Sequence, residues 1–74
     1  MRRQSRTFLR IAQVLEMTGL KRAVLYRMME QGCFPRPVQI TSRAVAWLSD
    51  EVAAWQEARI VERNRSQASL AIHA

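Results

Sequence analysis

Lys21, Arg22, Tyr26 and Arg27 fall within seven residues of one another. Their shared chemistry is donation of hydrogen bonds to an anion. Arginine presents a planar fork of donors that fits a phosphate or the major-groove edge of guanine; lysine supplies a point charge and tyrosine a hydroxyl. Arg36 and Arg43 follow along the chain, with Thr41 and Ser42 beside the second as weaker hydroxyl donors. Nothing comparable exists for making or breaking bonds. The one histidine, His73, stands at the far end of the chain from the one cysteine, Cys33, so the two form neither a metal site nor a nucleophilic pair. Cys33 follows a glycine and precedes Phe34, which reads as a small packing residue. Glu16, Glu30, Asp50, Glu51, Glu57 and Glu62 read as solvated helix surface, with no pairing suited to proton transfer. No glycine-rich loop cradles a phosphate. The expectation is a binding protein, not an enzyme, with no catalytic residue, metal or cofactor.

The elements that must position these side chains can be read from apolar spacing. Ile11, Val14 and Leu15 repeat at i, i+3, i+4, a helical stripe over Arg10–Met17. Thr18-Gly19 stops it, because glycine accepts the positive φ of a helix end. Leu25, Met28 and Met29 give the same stripe to a second helix over Lys21–Gln31, ended by Gly32. Leu20 serves as an apolar plug beneath the turn. Two short helices joined by a glycine turn form a helix-turn-helix. On the second helix Arg22, Tyr26 and Arg27 project away from Leu25 and Met28. Lys21 and Arg22 sit at its start, where base contacts concentrate in such docking. Ala23 and Val24 are small and apolar enough to meet a thymine methyl group. For Tyr26, a phosphate contact and half-burial under a neighbouring hairpin are equal alternatives.

Cys33-Phe34-Pro35-Arg36-Pro37 should be extended, since each proline pushes its predecessor out of the helical region, with Phe34 turned inward. Val38–Ile40 and Ala44–Leu48 alternate on either side of Thr41-Ser42-Arg43, the pattern of a β-hairpin. A hairpin after a helix-turn-helix is a wing, with Arg36 at its base and Arg43 at its tip. Ser49 is a suitable N-cap for a last helix that opens with Asp50 and Glu51. Val52 and Trp55 should face inward, and the helix should fade near Arg63. Trp47 and Trp55 are expected in the core. The expected fold is mainly α with a small β-hairpin: a winged helix-turn-helix of three helices plus a two-stranded wing. The expected division is a disordered basic arm over residues 1–6, a DNA-binding domain over 7–63 and a frayed tail over 64–74. Thr7-Phe8-Leu9 is either a strand stub or the lead-in to the first helix.

Composition agrees with this frame. Seventy-four residues suit one small domain with a modest core. The net charge of +6 is unevenly placed. Residues 1–43 hold nine Lys/Arg against two Glu, a balance of +7; residues 44–74 hold three Arg against four acids, a balance of −1. Eleven of the twelve cations are arginine, which favours a polyanion partner over a merely soluble surface. The arm could follow phosphates or enter a minor groove, or could simply be a charged terminus. No apolar run approaches a membrane span, and the first six residues lack the apolar stretch of a signal peptide. The expected location is cytoplasmic.

Several pieces, in order and at compatible spacing, carry a resemblance over Phe8–Arg63. They are Gly19-Leu20-Lys21-Arg22, Tyr26-Arg27, Phe34-Pro35, Arg43-Ala44-Val45-Ala46-Trp47 and Glu51-Val52-Ala53-Ala54-Trp55. Together they resemble the prophage regulators of the AlpA type, which belong with small excisionase-like proteins in the wider MerR-like winged-helix group. The resemblance implies binding of double-stranded DNA in a bacterium or phage, to activate transcription of an integrase gene or to steer prophage excision. It carries the DNA-contact role onto Arg22, Tyr26, Arg27 and Arg43. The sequence departs from the family at Lys21, where Ser is usual, at Ala23 and Val24, where Ser or Thr is usual, and at Thr41-Ser42, where glycines are frequent. The resemblance leaves open a homodimer or a cooperative array on DNA, and integrase or RNA polymerase as protein partners. The alternative from another class is a small protein-interaction adaptor or antirepressor, with Trp55 in its binding surface and the basic face incidental.

Overall fold

Glycines with positive φ end both helices of the helix-turn-helix. The computed structural model describes the backbone of residues 7–73 and the side chains of residues 7–67; the expected basic arm lies outside the described residues. The first helix, α1, spans Ile11–Thr18. Gln13 Oε1 accepts the Arg10 amide at 2.8 Å, satisfying a donor ahead of the first turn. Gly19 then takes φ 76° and ψ 8°, and its amide reaches Leu15 O at 2.8 Å. Thr18 Oγ1 donates back to Val14 O at 2.8 Å and accepts from the Leu20 amide at 3.3 Å, so one hydroxyl closes the turn from both sides. Leu20 packs against the core as expected.

The second helix, α2, spans Arg22–Glu30. It closes with a Schellman arrangement: Gly32 at φ 76° donates to Met29 O at 3.1 Å, and Cys33 donates to Met28 O at 2.8 Å. The chain then runs extended through its two prolines, leaving carbonyls that no strand can satisfy. Both tryptophans supply the missing donors. Trp47 Nε1 donates to Pro35 O at 3.0 Å, and Trp55 Nε1 donates to Cys33 O at 2.9 Å. Among the described residues no buried side-chain polar atom lacks a partner.

Three strands follow the order β1-β3-β2, all antiparallel: β1 is Phe8–Leu9, β2 is Val38–Thr41 and β3 is Ala44–Leu48. The expected hairpin is β2 with β3. The strand-stub alternative for Phe8-Leu9 is the one realised, pairing Phe8 with Leu48 and Leu9 with Trp47. The Thr7 amide also donates to Ser49 Oγ at 3.2 Å, and the Ser49 amide to Thr7 O at 2.8 Å. Ser49 therefore differs from its expected capping role. It is the first residue of the last helix, and its hydroxyl is used to hold β1. The hairpin turns through Ser42-Arg43 with no positive φ, and the register slips between Gln39 and Thr41, leaving Ile40 as a bulge. A turn without glycine lacks the mirror-image geometry that matches strand twist, and a bulge adds local twist.

The last helix, α3, spans Ser49–His73 and does not fade near Arg63. Its contacts to the body end early, but its later residues are mostly good helix formers with no glycine or proline to stop them. Arg59 also pairs with Glu62 one turn on. Near its start, Val52 is buried, Trp55 meets Phe34 edge-on at 4.9 Å, and Gln56 Nε2 donates to Met17 O at the end of α1 at 2.9 Å. Leu9, Val14, Leu25, Met29, Phe34, Trp47 and Val52 form the core, where the two helices, the sheet and the root of α3 converge. The radius of gyration is 15.4 Å, against about 11 Å for a compact chain of this length.

Candidate nucleic-acid interface

Burial divides α2 cleanly along its length. Leu25 and Met29 are buried and Met28 packs half-buried against them, so these three fix the helix to the core, with Val24 half-buried beside them. Arg22, Ala23, Tyr26, Arg27 and Glu30 are exposed. The period of 3.6 residues puts 22, 26 and 30 on one line and 23 and 27 on the next. Arg22, Ala23, Tyr26 and Arg27 therefore stand together on the outward face, as the sequence predicts. Tyr26 is 46% exposed. Val24 belongs to the packing side, which leaves Ala23 as the small outward residue of the first turn.

The start of α2 is unusual for a helix. Lys21 occupies the N-cap position with φ −86° and ψ 155°, but no side chain caps the helix and its first turn holds no acid. The first backbone N–H groups and the positive end of the helix dipole thus sit beside Lys21 and Arg22. Like charges there are unfavourable in isolation, and the same arrangement is favourable once an anion is placed against it.

The wing contributes separately. Thr41, Ser42 and Arg43 are all exposed at its tip. Thr41 Oγ1 accepts the Arg43 amide at 3.1 Å, which shapes the turn and presents the arginine. Arg36 is placed otherwise: its Nη1 donates to Met29 O at 3.4 Å, so it ties the base of the wing to the C-terminal end of α2. That end carries partial negative charge, to which a guanidinium is complementary. Spacing along the chain held no signal for this link, which depends on how the proline segment folds back. Cys33 is exposed, in contrast to the packing role expected for it. Its neighbour Phe34 fills the core position, and the Cys33 backbone, not its thiol, closes α2. Among the described residues there is no cluster of His, Cys, Asp and Glu able to hold a metal, and no helix long and apolar enough to cross a membrane.

The model of a family described as Prophage CP4-57 regulatory protein (AlpA) matches residues 7–60, from just before the first strand into the exposed part of α3. The chain belongs to this family. A relative from Enterobacteria phage P4, "Uncharacterized protein ORF88", is 41% identical over 58 residues, covering 78% of this chain and 66% of that protein. The chain thus spans just under two thirds of that relative's length. Membership places the chain among phage-related regulatory proteins. The match covers the helix-turn-helix, the wing and the root of α3, all the elements that position the exposed cations described above.

Proposed function

We propose that this AlpA-family protein is a sequence-specific reader of duplex DNA controlling prophage or mobile-element genes, with the outward face of α2 in a major groove and the wing tip on the adjoining backbone. The observation that carries this reading is the division of α2: a buried apolar side and an outward side bearing Arg22, Ala23, Tyr26 and Arg27, behind an uncapped, cationic N-terminus. Nine residues of helix are about 13 Å long, and the major groove is about 12 Å wide, so α2 fits with its first turn deepest. In this docking Arg22 and Ala23 meet base edges, Lys21 and the first-turn amides hold a phosphate, and Tyr26 and Arg27 reach the backbone or a neighbouring base. Arg43, Ser42 and Thr41 follow the strand from the wing. Arg36 acts indirectly, by fixing the end of α2.

Two regulatory roles share this surface: activation of an integrase gene, through RNA polymerase, and steering of excision together with integrase. Selection of bound sequences from a random duplex pool, followed by footprinting on the matching genomic sites, tests the reading and divides the roles. Protection of a single site upstream of an integrase gene indicates an activator. Several adjacent sites within an attachment region, with DNA bending, indicate an excision factor. Recovery of no enriched sequence would defeat sequence-specific reading. The adaptor alternative has weaker support, because Trp55, its proposed contact, is engaged with Cys33 O and Phe34.

A further inference from the structure

The outward face of α2 holds one charge of the wrong sign for a purely electrostatic contact with a polyanion. Between residues 17 and 49 Glu30 is the single acid, against Lys21, Arg22, Arg27, Arg36 and Arg43. It is exposed and ends the last turn of α2. Its place on the helix is more central than that of the arginines. At about 100° per residue, Ala23 and Glu30 lie within about 20° of each other, on the side opposite Leu25 and Met28. Arg22 and Arg27 flank that line, one on each side. The most outward line of α2 therefore carries an alanine in its first turn and a carboxylate in its last.

No contact within the fold accounts for the carboxylate. Among the described residues no hydrogen bond or ion pair reaches Glu30, from Arg27 or from any other cation. An acid at the C-terminal end of a helix also meets the negative end of the dipole, which disfavours it. Against DNA, a carboxylate is repelled by phosphates and can only accept hydrogen bonds. The major groove offers it two kinds of donor, the N4 amino group of cytosine and the N6 amino group of adenine. Beside the adenine amino group lies N7, an acceptor that repels a carboxylate, so cytosine is the base it fits.

We propose that Glu30 is a specificity-determining residue of α2. It accepts a hydrogen bond from the N4 amino group of a cytosine, about 10 Å along α2 from the base pair met by Ala23. Its charge weakens binding to any duplex that offers no such donor. The cations thus supply affinity for duplex DNA in general, and the acid supplies discrimination within it. This assignment rests on the docking of α2 proposed above. Selection from a random duplex pool, run in parallel on the unaltered protein, Glu30→Ala and Glu30→Gln, tests it. The unaltered protein should select a cytosine at one position of its site. Glu30→Ala should lose that preference alone, with discrimination there falling about tenfold in anisotropy titrations, and should bind random-sequence duplex more tightly. Glu30→Gln should move the preference to adenine, since glutamine both donates and accepts. Neither variant should melt at a lower temperature, because the side chain is exposed. If Glu30→Ala tightens all duplexes equally and selects the same site as the parent, Glu30 is only a repulsive surface charge and the proposal is overturned. If the unaltered protein selects no sequence, the docking of α2 itself fails and the proposal falls with it.

Discussion

Replacing Lys21 by serine should make the protein more stable and a weaker DNA binder. Lys21 already has the extended φ and ψ of an N-cap residue, so a serine there needs no backbone change. Its hydroxyl would accept one of the first-turn amides of α2 that no side chain now satisfies, an interaction typically contributing about 1 kcal/mol. Removing a cation from the positive end of the helix dipole contributes about 0.3–1 kcal/mol more. The sum, about 1–2 kcal/mol, is a large fraction of the roughly 4–11 kcal/mol expected for a chain of 74 residues. It corresponds to a rise in melting temperature of about 6–13 °C. Thermal unfolding followed by circular dichroism measures this directly. The same variant, titrated against its DNA site by fluorescence anisotropy at several salt concentrations, should lose one phosphate contact, so that the slope of log K against log[salt] becomes shallower by about 0.9. An unchanged melting temperature would show that the start of α2 is already satisfied. Unchanged affinity and slope would remove Lys21 from the interface.

The remaining predictions separate binding from folding. Arg22→Ala and Arg27→Ala should each weaken DNA binding, with the melting temperature within a degree or two of the parent, since both side chains are exposed. Arg22→Ala should also relax sequence preference if it reads a base edge, at about 1–3 kcal/mol of discrimination. If both variants keep wild-type affinity, α2 is assigned to the wrong face. Trp47→Ala should cost about 3–5 kcal/mol in urea denaturation, because the ring is wholly buried and its Nε1 satisfies Pro35 O; a loss below 1 kcal/mol would contradict its place in the core.

The parts of this molecule that obey short-range rules could be read from the chain alone. Gly19 and Gly32 mark the two helix ends because both need positive φ, and the spacing of Leu25, Met28 and Met29 sets which side of α2 faces out. What escaped the sequence depends on long-range geometry. A two-residue strand such as Phe8-Leu9 has no periodicity of its own, and its pairing with Leu48 and Trp47 spans some forty residues. The use of the Ser49 hydroxyl follows from that pairing, so capping logic alone gave it the wrong partner. The sequence shows no strong inward stripe in α3 near Arg63, where an end is expected, yet the helix continues to His73 because no glycine or proline breaks it. Arg36 looked like Arg43 in the sequence, an arginine beside a hairpin. Only the fold of the proline segment distinguishes the arginine that holds α2 in place from the one presented at the tip.

The outward face of α2 and the wing are the centre of this account, and the salt dependence of duplex binding tests them most directly. Phosphates neutralised by the three cations Lys21, Arg27 and Arg43 predict a slope of about −3 for log K against log[salt], with Tyr26 and the wing hydroxyls adding hydrogen bonds but no slope. Binding at low salt with a slope near that value is the expected result. A flat salt dependence, or no duplex binding even at low salt, would contradict it.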